Sequence, residues 1–228
     1  MNAALCRAQV RVTHRQMDDR MTLLSKSLSL VLISFVVVAS ACGETGKDYY
    51  AEGVSKINHG DFDGALRDLD KSIELIPNNA GAYFARGMAK KAKGDFEGAN
   101  SDYTKAIQYK TGYFEAYDSR GVVRAALGDF KGAMSDYDDA IEFNSMNSKA
   151  YSNRGAEKFN LGDEDGALAD DDKAIQLSPG SFQTYINRAV VENKLGDANG
   201  SRLDFSKAIE LNASARAMIE AQGYSIAK

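Results

Sequence analysis

The side chains able to do chemistry in this 228-residue chain are nearly all carboxylates and cations, 32 Asp and Glu against 28 Lys and Arg. The only histidines are His14 and His59 and the only cysteines Cys6 and Cys42, so no Ser-His-Asp or Cys-His pairing and no ordinary zinc site can be assembled. No phosphate-cradling loop or metal motif occurs. The acids and arginines do recur in step. Aspartate stands at Asp68, Asp102, Asp136, Asp170 and Asp204, and arginine at Arg86, Arg120, Arg154 and Arg188, each series spaced by 34 residues. Opposite charges in register are the chemistry of ion pairing. Nothing in the placement of the carboxylates suggests a pocket or a raised pKa, so the expectation is a non-enzyme with no cofactor and no bound metal.

The spacing belongs to the whole chain. Gly60-Asp61-Phe62-Asp63-Gly64-Ala65 has counterparts beginning at Gly94, Gly128, Gly162 and Gly196, again at steps of 34 residues. A fixed period of this length means one small unit stacked on copies of itself, which is a solenoid. The units read 46–79, 80–113, 114–147, 148–181 and 182–215, with a polar cap over 216–228. Each is expected to hold two helices around the Gly-Asp turn. The glycine suits the left-handed position that ends the first helix. The aspartate can accept from an orphan N–H opening the second.

The repeat also suggests how the charges pair. Arginine's position in the first unit is held by Glu52. Pairing within a unit would then set Asp68 against Glu52, a like-charge contact. Pairing each aspartate with the next unit's arginine avoids this, and predicts a ladder of Asp68–Arg86, Asp102–Arg120, Asp136–Arg154 and Asp170–Arg188.

Tyrosines recur near the start of the first helix (Tyr83, Tyr117, Tyr151, Tyr185), followed by small residues at Gly53, Gly87, Gly121, Gly155 and Ala189. Alanine or serine returns at Ala65, Ala99, Ala133, Ala167 and Ser201, and at Ser72, Ala106, Ala140, Ala174 and Ala208; Pro77 and Pro179 close their units. This pattern resembles the tetratricopeptide repeat over about 170 residues. The resemblance implies an all-α right-handed superhelix of antiparallel helix pairs, with first helices lining a concave groove that holds a peptide or partner segment. Carried over by register, that groove comprises Tyr50, Val54, Ile57, Phe84, Met88, Val122, Ala126, Ala156, Phe159, Ile186 and Val190. Between them fall Lys91, Asp118, Lys149, Ser152, Asn193 and Lys194. The set is apolar with scattered cations, which favours an apolar or amphipathic protein segment. For each apolar residue the alternative is core packing, because a register error of one turns a side chain by about 100°.

Unit four departs from its neighbours. Phe62, Phe96 and Phe130 give way to Glu164, and Tyr103, Tyr137 and Phe205 give way to Asp171, beside Asp165, Asp170 and Asp172. Either this helix is loosened and solvated, or its face is an acidic contact for a basic partner or a divalent cation. Too few oxygen ligands can be placed in one loop for a Ca²⁺ site.

The front of the chain reads as an address. Residues 28–41 form an apolar run behind Lys26, the length of a signal-peptide core and short for a bilayer span. It ends Ala39-Ser40-Ala41-Cys42-Gly43, which resembles the lipobox of bacterial lipoproteins, although that family usually has leucine where this chain has Ala39. The resemblance implies cleavage before Cys42 and acylation (palmitate) of its thiol. The segment also fits an ordinary Ala-x-Ala cleavage site or an uncleaved membrane anchor. Residues 1–20 are long and charged for such a signal, so Met21 or Met17 is the expected start. Residues 42–47 would form a short tether to a folded domain over 48–228. Two or more acyl chains make membrane attachment effectively stable.

Without residues 1–41, which carry five basic and two acidic side chains, the rest bears about −7. An acidic surface repels phosphate backbones, so no nucleic-acid partner is expected. Two functions remain. One is a membrane-tethered interaction scaffold of the bacterial cell envelope, with an open groove for a protein segment. The other is an envelope capture protein for a small ligand or glycan segment, which would need a closed pocket with stacked aromatics. Gly43, in place of the aspartate that retains some lipoproteins at the inner membrane, favours the periplasmic side of the outer membrane.

Overall fold

The computed structural model describes residues 46–224. The signal segment, the alternative starts, Cys42 and the first residues of the tether lie outside the described residues. Helix α1 runs over 46–58. It is followed by α2 (Phe62–Leu75), α3 (Ala80–Ala92), α4 (Phe96–Tyr109), α5 (Phe114–Ala126) and α6 (Phe130–Phe143). Then come α7 (Ser148–Asn160), α8 (Glu164–Leu177), α9 (Phe182–Leu195), α10 (Ala198–Leu211) and the short α11 (Ala215–Ala221). Among the described residues there is no strand, and no helix is long and apolar enough to cross a membrane.

The turn inside each unit explains why the pattern repeats so strictly. Gly60, Gly94, Gly128, Gly162 and Gly196 have φ between 78° and 88°, a left-handed conformation that costs an L side chain but not glycine. The next residue is the cap. Asp61, Asp95, Asp129, Asp163 and Asp197 each accept from the N–H three residues on, at 2.9–3.0 Å. Such a cap is worth about 1 kcal/mol.

Within a unit the two helices pack through small residues. A methyl group on Gly87 or Gly121 would lie 2.7 or 2.6 Å from a ring carbon of Tyr103 or Tyr137. Glycine lets the helix backbone approach these buried rings. Between units, α3 touches α5, α5 touches α7 and α7 touches α9, while no two second helices are in contact among the described elements. A stack whose first helices crowd together and whose second helices spread apart curves toward the first helices. The concave face is therefore theirs.

The ion pairs correct the predicted ladder. Each arginine is bidentate to the aspartate of its own unit: Arg86 to Asp102 (2.8 and 2.6 Å), Arg120 to Asp136 (2.9 and 2.6 Å), Arg154 to Asp170 (2.8 and 2.7 Å), Arg188 to Asp204 (2.7 and 2.9 Å). Asp68, expected to meet Arg86, instead accepts from Lys56 at 2.6 Å. Glu52 never meets Asp68 because it is exposed, and a second cation, one helical turn on, takes its place. That second cation recurs, as Lys90 on Asp102, Arg124 on Asp136 and Lys158 on Asp170, at 2.9–3.0 Å.

Units are still bridged, through a different residue. The free end of each guanidinium reaches back to the previous unit: Arg86 to Asp70, Arg154 to Asp138, Arg188 to Asp172, at 2.6–2.7 Å, and Arg120 to the Thr104 hydroxyl at 3.2 Å. Each arginine also lies over the tyrosine three residues before it, 5.4–5.9 Å from the ring centre. Half-buried against a ring and one or two acids, these guanidiniums are structural.

Candidate partner-binding groove

A hollow of roughly 600 Å³ lies on the concave face across three consecutive first helices. Phe84, Met88 and Lys91 come from α3; Glu115, Asp118 and Val122 from α5; Lys149 and Asn153 from α7. The turn before α7 adds Asn144 and Met146, the latter 70% exposed. Six residues of the expected groove, Phe84, Met88, Lys91, Asp118, Val122 and Lys149, thus share one cavity. Their characters differ. Met88 is exposed, whereas Phe84 is half-buried and packs its ring against Tyr103 and Tyr113, with centroids 5.6 and 5.0 Å away. Phe84 shapes the floor and Met88 is free to touch a ligand.

The polar part of the hollow is balanced. Asp118 is half-buried, and burial pushes its carboxyl up, while the amide of Asn153 donating at 2.9 Å and the nearby Lys149 and Lys91 pull it down. Two lysines and two acids around apolar walls make a surface for a segment with both apolar and charged side chains.

The remaining groove candidates separate. Phe159, Ile186 and Val190 line a second, smaller hollow between α7 and α9, in which Ile186 is fully buried and belongs to the core of the last repeat. Tyr50 and Val54 pack against the core between α1, α2 and α3, in the role of helix packing rather than open groove surface. Met146, on an inter-repeat turn, escaped a register argument confined to helices.

Unit four is not the loosened, solvated helix that was one of its two expectations. Three of its acids are paired: Asp170 with Arg154 and Lys158, Asp172 with Arg188, and Glu164 with Lys194 at 2.8 Å. Asp171 is fully buried rather than solvated, and it lines the smaller hollow. Burial and the charges of Asp170, Asp172 and Asp204 push its carboxyl up to about 8, with Arg188 opposing. The view that no carboxylate here has a raised pKa or a pocket fails at this residue. Glu192, where other repeats place the second cation, is likewise pushed up to about 7 by burial and Asp204. No group of three His, Cys, Asp or Glu among the described residues is placed to hold a metal ion.

A tetratricopeptide-repeat family model matches residues 80–112. The solved structure of MamA is 25% identical, covering 82% of this chain and 100% of that one, with a TM-score of 0.63. YrrB, described as a TPR protein with an unusual peptide-binding site, is 22% identical over 77% of this chain and 91% of its own, with a TM-score of 0.59. TTC0263, a thermophilic TPR protein of Thermus thermophilus, is 18% identical over 77% and 97%, with a TM-score of 0.67. The fold is a tetratricopeptide-repeat solenoid. No curated protein matches the chain. Proteins built from this repeat are in general non-catalytic interaction scaffolds.

Proposed function

We propose that this chain is a membrane-tethered scaffold of the bacterial cell envelope that holds a protein segment on its concave face. One observation carries the reading: the hollow of roughly 600 Å³ runs over α3, α5 and α7, with exposed Met88 and Met146 at its surface. A site shared by three helices suits an extended or helical segment better than a compact small molecule. The peptide-binding site ascribed to YrrB supports it by likeness. The tether is read from the lipobox-like Ala39-Ser40-Ala41-Cys42, and the side of the outer membrane facing the periplasm from Gly43.

A photo-reactive amino acid placed at Met88 tests the scaffold in intact cells. It should capture one or a few discrete proteins, and the same group at Lys105, exposed on second helix α4, should not. Equal labelling from both positions, or none from Met88, would sink the proposal. The same cells test the anchor. The protein should sediment with membranes and its mature form begin at an acylated Cys42, while Cys42→Ser should release it or block processing. A soluble wild-type product starting elsewhere would refute the anchor without touching the groove.

A further inference from the structure

Repeat four breaks the apolar rule at one interior position, which repeat one fills with Leu69. Tyr103, Tyr137 and Phe205 fill the slot in repeats two, three and five, and Asp171 stands there in repeat four, fully buried. A carboxyl is smaller than a ring, and the lost volume shows. The nearest atom to a methyl group built on Gly155 would be 3.2 Å away, against 2.7 and 2.6 Å at Gly87 and Gly121. Beside it opens a hollow of roughly 270 Å³, walled by Phe159, Ile186 and Val190 with the amides of Asn160, Asn187 and Gln222.

Neither oxygen of Asp171 has a partner. A buried carboxyl left so is strongly disfavoured in its ionised form unless a cation meets it. The neighbouring cations are engaged elsewhere. On α7, Arg154 and Lys158 are held by Asp170; on α9, Arg188 is held by Asp204 and Asp172, and Lys194 by Glu164, its ammonium also lying 4.9 Å over one face of the Phe159 ring. Glu157 on α7 and Glu192 on α9 each add a buried carboxylate oxygen without a partner. Around this hollow acids outnumber cations, and one acid borders it directly.

We propose that the hollow is a subsite for a lysine side chain of the bound segment, its methylene stem lying along Phe159, Ile186 and Val190 and its ammonium meeting the Asp171 carboxylate. The proposal rests on the groove reading above and adds a residue of the ligand to it. Helix α7 lines both hollows, so one segment crossing α7 reaches both. Without a cation, burial and the charges of Asp170 and Asp172 on its own helix and of Asp204 on α10 hold a proton on Asp171 up to about 8 against the pull of Arg188. An arriving ammonium takes the proton's place, and the proton leaves to solvent.

The test uses N-acetyl-lysine methylamide, followed by shifts of backbone amide resonances in the full solenoid. Saturable shifts should centre on Phe159, Ile186 and Val190. The norleucine analogue, equal in stem but without the ammonium, should bind at least tenfold more weakly. So should the lysine probe on Asp171→Asn, and on wild type at pH 6 relative to pH 8.5, where ionisation of Asp171 is no longer opposed. Asp171→Tyr, which restores the ring, should abolish binding while remaining folded. Norleucine binding as well as lysine, or Asp171→Asn binding unchanged, would overturn the subsite. Cadaverine binding tenfold tighter than the lysine probe would make this a free-diamine site and overturn the partner assignment. The chain's own Lys228 follows Gln222 by six residues; binding seen only in Lys228→Gln would show a self-occupied site and overturn it equally. Because no partner is needed, these outcomes stand apart from failure of the cross-linking at Met88.

Discussion

Asp171 is where one residue changes what the repeat can do. Tyrosine in its slot buries a large ring against a glycine, as Tyr137 does against Gly121. Aspartate there loses that burial and leaves a carboxyl whose ionised form is disfavoured. The sign of the pH dependence follows. A carboxyl raised from 3.8 to about 8 in the folded state binds its proton more tightly there than in the unfolded chain. Stability from the neutral form is fully present below the unfolded value and is lost as pH rises through about 8. Glu192, raised from 4.5 to about 7, acts in the same direction. Urea unfolding should therefore show stability falling from pH 5 to pH 8.5, with a shallower fall in Asp171→Asn. Asp171→Tyr should raise the urea midpoint at pH 8.5. Stability that rises over that range would contradict the assignment. The aromatic-to-acid exchange was plain in the sequence, but its burial was not. An acid within a run of acids on a helix is ordinarily solvated, and only packing reveals that its neighbours close over it.

At the scale of the helix pair, caps and turns were legible because they are local. A left-handed glycine followed by a capping aspartate acts within four residues, and Gly94-Asp95 behaves as Gly128-Asp129 does. The charge pairing was not legible, since opposite charges at a 34-residue spacing fit either neighbour equally well on paper. The choice turned on Glu52, and Lys56 removed its force. A double-mutant cycle distinguishes the schemes. Arg120 and Asp136 should couple by more than ~1 kcal/mol, whereas Arg120 and Asp102, the pair of the abandoned ladder, should be additive within about 0.5 kcal/mol. Asp136→Ala, which removes the buried acid shared by Arg120 and Arg124, should cost about 3–5 kcal/mol of unfolding free energy. A loss under ~1 kcal/mol would mean that these pairs carry specificity alone.

For the whole molecule, the 34-residue period made the solenoid readable, since no other architecture repeats a helix pair so regularly. The concave face was readable only through the resemblance, and the structure sharpens it into an exposed Met88 above a half-buried Phe84. Packing separated them: both sit on α3, but only Phe84 has rings on two sides. The role proposed for this face is to hold a partner segment by apolar contact. The direct measurement is a titration of the segment captured from Met88 against wild type, Met88→Ala and Lys105→Ala. Met88→Ala should weaken binding by about 1–3 kcal/mol, roughly 5- to 150-fold in Kd, with an unchanged unfolding midpoint. Lys105→Ala should bind as wild type does. Equal affinities for all three would place the partner on another surface and contradict the account.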